Sequence, residues 1–309
     1  MITTITLNPA VDKTLTTHKF IPGELNIVSH SREDVGGKGL NVSKMLKNFG
    51  MDSRATGFIA GTRGMKIVYD LEKNGIQNYF VEIDGETRTN VKIVDETSKL
   101  ITELNEIGPT PSEEDIKNLI EILKKSPNSI HIISGSIPKG VSPKIYFELV
   151  SLLKSQSKFV ILDSSGPAFD EGIKGLPNII KPNLYELQRH FDVEIDTNDD
   201  EEIIFYGRKL IQKGIELVVI SNREKGSYFI DKNFALKVEG LNVEVQSTVG
   251  AGDAMVAAIA FAKANGYEID QMAVLAAATG AATVTLDGTQ FPSYEKVKEY
   301  LGKIKYTRF

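Results

Sequence analysis

Residues 247–255 read S-T-V-G-A-G-D-A-M, which sets two glycines directly before an aspartate where an alanine-rich helix should begin. Gly250, Ala251 and Gly252 allow a sharp turn with bare N–H groups, and a helix N-terminus adds partial positive charge where an anion could sit. Asp253 then offers a carboxylate beside that anion. The combination suits phosphoryl transfer, in which amides hold the charge that develops in transit and a carboxylate accepts the proton of the attacking hydroxyl. As a side chain at a helix N-terminus, Asp253 is expected to be a weak base.

Two further groups carry chemistry. V-G-G-K-G-L-N-V-S at 35–43 is neither a dinucleotide fingerprint nor a P-loop. Its glycines permit close backbone approach to a polar ligand, and Lys38 and Asn41 add charge and hydrogen bonds; a plain loop and helix start reads equally well. Asp12, in L-N-P-A-V-D, follows the first strand at the end where open α/β sheets bind ligands. Read alone, it is a turn residue after Pro9.

The elements that must position these residues alternate between short apolar runs and amphipathic stretches, a rhythm of parallel strands joined by crossover helices. Strands are expected at Ile2–Leu7, Thr56–Ile59, Ile130–Ser134, Phe159–Asp163, Ile179–Lys181 and Val218–Ser221, with Tyr228–Ile230 and Ala235–Val238 near the C-terminal edge. Helices are expected over Leu40–Phe49, Met65–Lys73, from Ser112, from Ser142, over Glu201–Lys213, and near 252–264, 270–285 and 294–302. Between Ile76 and Leu104 the pattern turns strand-like without helices, at Tyr79–Ile83, Thr89–Val94 and Leu100–Leu104. With the non-helical Lys13–Ser31 stretch, these pieces predict a small sheet outside the main layer, a lid drawn from about residues 12–34 and 77–105 of a single 309-residue domain.

Composition narrows the classes. Of 309 residues, 41% are hydrophobic and 25% charged, as in an ordinary globular chain. A net charge of −5 argues against a general nucleic-acid or membrane surface, so an anionic ligand must be held by local groups. The absence of cysteine removes disulfides, thiolate catalysis and cysteine-based zinc sites. His18, His30, His131 and His190 show no metal-ligand spacing, and His131, alternating with apolar residues, reads as a structural histidine. The N-terminal stretch lacks a basic region followed by a long apolar run, which leads us to expect a cytoplasmic protein.

Four blocks in order, L-N-P-A-V-D, G-G-K-G-L-N-V-S, K-P-N-L-Y-E-L at 181–187 and S-T-V-G-A-G-D-A-M, give the chain a resemblance to PfkB-type carbohydrate kinases of the ribokinase-like superfamily across essentially its whole length. The resemblance implies a three-layer α/β/α fold with a mostly parallel central sheet and a small β-sheet lid. It implies that Asp253 is the base, that the 250–252 backbone is the anion hole, and that Asp12, Gly37, Lys38 and Asn41 grip the sugar. Asn183 and Glu186 match the family's N-x-x-E element, associated with Mg²⁺ and the phosphates of ATP through ordered water; read alone they are a helix cap and a first-turn acid. Thr248, Ser221 and Gly226 fall on the nucleotide side.

Within the family, the details resemble the branch acting on ketohexose monophosphates. T-R-T-N-V-K at 87–92 places Arg88 and Asn90 on the lid, G-G-K-G places a cation in the sugar loop, and G-S-I-P-K-G at 135–140 adds Lys139. Lys38 and Arg88 are expected to bind the substrate's resident phosphate, Arg88 in a bidentate manner unless it is merely a solvent-facing strand residue. Fructose 1-phosphate is the first choice of acceptor, with tagatose 6-phosphate and fructose 6-phosphate as alternatives. An unphosphorylated sugar or nucleoside and a noncatalytic sugar-phosphate sensor stay in view. One departure stands out: the family's S-L-G-x-x-G reads S-N-R-E-K-G at 221–226, with Asn222 and Arg223 in place of a leucine and a glycine. Two weaker nucleotide-side features are the small residues of Ala276–Ala282, which a packed core helix explains equally well, and D-G-T at 287–289. Exposed lid edges predict a homodimer.

Overall fold

The computed structural model describes residues 1–288 and 290–309; Thr289, the end of the D-G-T turn, lies outside the described residues. Strand alternation sets the layers. In β1 (Ile2–Thr6), Ile2 points into one buried cluster and Ile5 into another on the opposite face. The chain continues through β2 (Ala10–Thr17), β3 (His30–Gly36), α1 (Lys38–Asn48), β4 (Ser53–Ile59), α2 (Gly61–Lys73), β5 (Gln77–Asn78), β6 (Val81–Glu82), β7 (Arg88–Asp95), β8 (Ile101–Asn105), α3 (Glu113–Lys124) and β9 (Ile130–Ser134). It then forms α4 (Lys144–Ser155), β10 (Phe159–Asp163), α5 (Gly166–Gly172), β11 (Ile179–Ile180), α6 (Leu184–Phe191), α7 (Asp200–Gln212), β12 (Leu217–Ser221), β13 (Gly226–Ile230), β14 (Ala235–Glu239), α8 (Ala251–Ala264), α9 (Ile269–Val284), α10 (Tyr294–Leu301) and β15 (Tyr306–Arg308).

The large sheet runs β15-β14-β13-β12-β11-β10-β9-β1-β4-β5, with β6 also on β4. It is parallel from β5 to β12 and antiparallel from β12 to β15. One face packs on α3 to α7, through residues such as Leu119, Leu149, Phe169, Leu187 and Leu210. The other packs on α1, α8, α9 and α10, through Met45, Val256, Ile259, Leu275 and Val297. The mostly parallel α/β/α arrangement thus follows the expected one. β1 lies between β4 and β9, so the chain leaves it in both directions and a crevice opens beyond its C-terminal end.

Sequence rules explain the local ends. α3 begins with a full capping box between Ser112 and Asp115, with Glu113, Glu114 and Asp115 in its first turn. The small residues of α9 serve packing: Ala276, Ala278 and Ala282 are buried, and a Cβ on Gly280 would come 3.2 Å from Met255 of α8.

A separate small sheet has the order β3-β2-β7-β8. The β2–β7 pairing is parallel and puts Asp12 directly opposite Asn90. Tyr79–Ile83 does not join this sheet as the pattern suggested. β6 within it and β5 just before it pair with β4, because Val81 and Ile83 bury against the core of the large sheet.

Candidate active site

α8 starts at Gly250, whose φ of +81° is a left-handed conformation that glycine adopts freely. No side chain caps this end, and the first intrahelical bond runs from Ala254 N to Gly250 O at 2.8 Å. The amides of Ala251, Gly252 and Asp253 therefore have no acceptor within the helix and suit an incoming anion. Asp253 itself is buried, and Asn41 Nδ2, from α1, donates to its Oδ2 at 2.7 Å. Asn41 Oδ1 is buried with no partner among the described residues.

Burial is the largest influence on the Asp253 carboxyl and pushes it up to about 6, with the Asp163 charge adding to it and Lys38 and Asn41 opposing. The weak base expected from the helix terminus is therefore not what the site holds. Desolvation wins because the whole carboxylate is inside, whereas the helix end offers only partial charge.

Asp163, at the end of β10, receives two lysines on one oxygen. Lys38 Nζ lies 3.5 Å and Lys181 Nζ 3.4 Å from Oδ1. Burial opposes the charge on Asp163 most strongly, yet Lys181 and Lys38 together hold its pKa below the usual carboxylate range. Burial likewise opposes the charge on Lys38, and Asp163, Asp253 and Glu186 outweigh it and raise that pKa. Lys181 rests against the anion hole: a Cβ on Gly252 would meet its Nζ at 3.3 Å, so the glycine keeps this approach open.

Asn183 and Glu186 form a reciprocal capping box on α6. Asn183 Oδ1 accepts from Glu186 N at 2.8 Å, and Glu186 Oε2 accepts from Asn183 N at 2.9 Å. The helix-cap reading thus describes their contacts. Only one Glu186 oxygen is used in the box, and burial raises this carboxyl's pKa. Among the described residues, no group of three or more His, Cys, Asp or Glu side chains could hold a metal by itself.

The lid supplies the other wall. Asp12 is buried, and it accepts from Asn90 Nδ2 at 2.9 Å and pairs with Lys92 Nζ at 3.3 Å. Arg88 donates through one terminal nitrogen to Asn8 O at 3.0 Å and Ser136 Oγ at 3.3 Å and through the other to Glu106 O at 3.4 Å, while its buried Nε and the Oδ1 of Asn90 have no partner among the described residues. The two cations expected to share one phosphate are thus differently engaged: Lys38 with Asp163, Arg88 with the Asn8 and Ser136 loops. Gly37 precedes α1 as its N-cap. Lys139 is exposed on the loop after β9 and stands outside the buried network.

On the remaining side, Ser221 N donates to Pro182 O at 3.1 Å and bridges to Asn183, while Thr248 is exposed just before the α8 turn. Asn222 N donates to Gly226 O at 2.8 Å and its Nδ2 to Thr197 O at 2.9 Å, which closes the departing loop tightly. Arg223 holds a left-handed φ of +50°, a conformation suited to the glycine that the family carries there.

Asp163, Lys181, Lys92 and Asn8 were not singled out as site residues in the sequence. A signal existed for each. Asn8, Lys92 and Lys181 all sit inside quoted motif blocks, Lys181 directly after the apolar Ile179 and Ile180, and Asp163 ends an apolar strand at the edge where α/β sheets bind ligands.

An uncapped helix start, a buried carboxylate and a cation pair at the C-terminal edge of a parallel sheet define a phosphoryl-transfer site in class. The pfkB family carbohydrate kinase model matches residues 2–296, and the chain belongs to this family. It is 34% identical to 1-phosphofructokinase of Borreliella burgdorferi over 99% of this chain and 98% of that one. It is also 36% identical to tagatose-6-phosphate kinase of Staphylococcus epidermidis over 84% of each. Its fold superposes on phosphofructokinase-2 from Escherichia coli in complex with substrates and products with a TM-score of 0.92, at 26% identity over 98% of both chains. The protein is a sugar kinase, a phosphotransferase to an alcohol group with ATP as donor. No helix of the described residues is long and apolar enough to cross a membrane.

Proposed function

We propose that this enzyme phosphorylates the free primary hydroxyl of a ketohexose monophosphate, with fructose 1-phosphate as acceptor and fructose 1,6-bisphosphate as product. The observation that carries the reading is the buried Asp253 beside uncapped amides, tied through Asn41 to one side of the crevice, with Arg88 and its unpartnered Nε on the lid at another. In this reading Arg88 holds the resident phosphate, and Asp12 and Asn90 bind ring hydroxyls with Asn41 and Gly37. Lys139, exposed as it is, has the weakest claim to a ligand contact. Asp253 takes the proton of the attacking hydroxyl, and the 250–252 backbone meets the charge on the transferred phosphoryl. Thr248, Ser221 and Gly226 line the nucleotide side.

The free oxygen of Glu186, close to Asn183, fits a hydrated Mg²⁺ that keeps most of its waters and is shared with the nucleotide phosphates. When bound, that ion supplies charge compensation on the phosphates. The small sheet acts as a lid over the sugar, working to exclude water.

A second copy is the partner we assign to the lid. Leu25, Ile27, Leu100, Ile101, Leu104 and Ile107 are all more than half exposed there, and β8 is an open edge. The homodimer acts in the cytoplasm, drawing on ATP.

An ADP-release assay with ATP and Mg²⁺ over fructose 1-phosphate, fructose 6-phosphate, tagatose 6-phosphate, fructose and ribose tests the assignment. Turnover of free sugars alone would sink it. Preference for tagatose 6-phosphate would move the substrate to the alternative that the Staphylococcus epidermidis relative favours. Binding without turnover would make the protein a sensor.

A further inference from the structure

One carboxylate oxygen shared by two ammonium groups is a poor way to build a stabilising ion pair. Both contacts, 3.4 and 3.5 Å, exceed the roughly 2.7–2.9 Å of a tight charged hydrogen bond. Among the described residues, the second oxygen of Asp163 accepts only from Ser134 Oγ, at 3.4 Å. Asp163 and Lys181 are nonetheless almost fully enclosed, with side-chain exposures of 1% and 6%. Burying such charges costs desolvation that loose geometry does not repay. A stronger acceptor arriving between the lysines would repay it.

The surroundings say where that acceptor arrives. Lys181 Nζ rests against the backbone of Gly252, within the first turn of α8. Lys38 begins α1, three residues before the Asn41 that holds Asp253, and its side chain is 38% exposed, open to the crevice. Both cations therefore border the anion hole and the base, and Lys38 does so although its Cβ lies beside Gly135, next to the Ser136 that Arg88 contacts.

We propose that Lys38 and Lys181 are a two-cation clamp on the phosphoryl group in transit, and that Asp163 is the positioning residue that holds both lysines ready for it. The proposal rests on the kinase reading above, and it moves Lys38 from the resident phosphate to the transfer end. In the step, the sugar hydroxyl oxygen bonds to the γ-phosphorus of ATP, and the bond from that phosphorus to the β–γ bridging oxygen breaks. The electron pair leaves on ADP, and the hydroxyl proton passes to Asp253. Charge spread over the equatorial oxygens meets the α8 amides on one side and the two ammonium groups on the others. Asp163 stays ionised throughout and transfers no proton.

The test uses the full-length enzyme with ATP-Mg and fructose 1-phosphate, together with inhibition by ADP plus aluminium fluoride, which mimics the planar phosphoryl. Lys38→Met and Lys181→Met are each expected to lower kcat about 100-fold, the usual loss for one oxyanion donor. KM for both substrates should stay within about threefold, because the clamp engages only in the transition state. Inhibition by ADP with aluminium fluoride should weaken by about the same 100-fold factor while ADP alone binds as before. Asp163→Asn should lower kcat about tenfold with little change in KM, a split that a purely structural role would not produce. Where the buried Lys181 variant does not fold, Lys38→Met carries the test alone. A raised KM for the sugar phosphate with kcat intact would return Lys38 to the resident phosphate and overturn the clamp, as would undiminished inhibition by ADP with aluminium fluoride. Failure of the wild-type enzyme to turn over any ketohexose phosphate is visible before any variant is made, and would remove the kinase reading and the clamp together.

Discussion

Buried polar groups sit at both ends of β1, and they are built on opposite principles. At its N-terminal end, Thr3 Oγ1 meets Ser126 Oγ at 3.2 Å and accepts from Asn128 Nδ2 at 2.8 Å, while His131 Nε2 reaches the same serine at 3.1 Å. These groups are neutral: burial, with Lys158 nearby, drives the His131 pKa down to about 4. Beyond its C-terminal end lie four charged side chains, Lys38, Asp163, Lys181 and Asp253. Among the described residues, Thr6 Oγ1, Asn41 Oδ1, Asn90 Oδ1 and Arg88 Nε there lack partners, but so do Ser53 Oγ, Arg54 Nε and His131 Nδ1 at the first end, so the buried charge cluster is what sets the two ends apart. Neutral groups bonded to one another hold strands in register, whereas a cluster of buried charges is held for something that arrives.

The sharpest way to break this contrast is Asp253→Asn. We expect turnover to fall about a thousandfold, within the range for loss of a general base, with sugar-phosphate and ATP binding retained. The same change should stabilise the fold. A carboxyl raised from 3.8 to about 6 contributes stability that is complete below its unfolded value and lost as the pH rises through 6. At pH 7 the buried charge thus costs on the order of 3 kcal/mol, which the amide relieves. Thermal melting beside steady-state kinetics checks both halves. A variant that loses stability, or keeps near-normal kcat, would show that Asp253 belongs with the structural groups.

Arg88→Ala probes the sugar end. Loss of a charge-assisted phosphate contact is worth about 1.5–3 kcal/mol, so KM for the sugar phosphate should rise by about 10- to 100-fold while KM for ATP stays nearly constant. Equal effects on both substrates would detach Arg88 from the resident phosphate. A smaller effect appears without any mutation. Because Asp253 must be ionised to accept a proton, kcat/KM should fall about tenfold per unit as the pH drops below about 6 and level off above it. A profile flat down to pH 4.5 would mean that the charges around Asp253 keep it ionised despite its burial.

Much of this was legible in the chain itself. Alternation placed β1, β9, β10 and β12 within a residue or two, and the Gly250–Asp253 turn announced its chemistry because glycine and carboxylate types are dictated by backbone shape and charge. Other features depend on tertiary placement. Tyr79–Ile83 has the composition of a lid strand, and only the open edge of β4 decides that β6 within it and β5 before it pair with the large sheet. Asp163 and Lys181 lie 18 residues apart, on successive strand ends, and the parallel β10–β11 pairing brings them together. The base strength of Asp253 departs from its helix-terminus expectation for a related reason: a helix terminus is visible in sequence, while full burial is not. Arg223 keeps a glycine-like φ, so the departing motif altered the residue more than the left-handed turn.

The smallest expected effect separates the two ends most cleanly. His131 has its pKa lowered from 6.5 to about 4, so its contribution to stability is complete above 6.5 and is lost as the pH falls toward 4, because the unfolded chain binds the proton first. The loss amounts to about 1 kcal/mol at pH 5.5. His131→Leu should abolish that increment while leaving stability at pH 7.5 within about 1 kcal/mol of the parent, since Ser126 Oγ keeps its contact with Thr3. Urea unfolding of both proteins at the two pH values measures the difference, and kcat at pH 7.5 should not change. If both proteins lost the same stability on acidification, His131 would not be the buried neutral group described. If kcat fell with it, the two ends of β1 would be energetically joined, and the contrast between a structural floor and a reactive edge would fail.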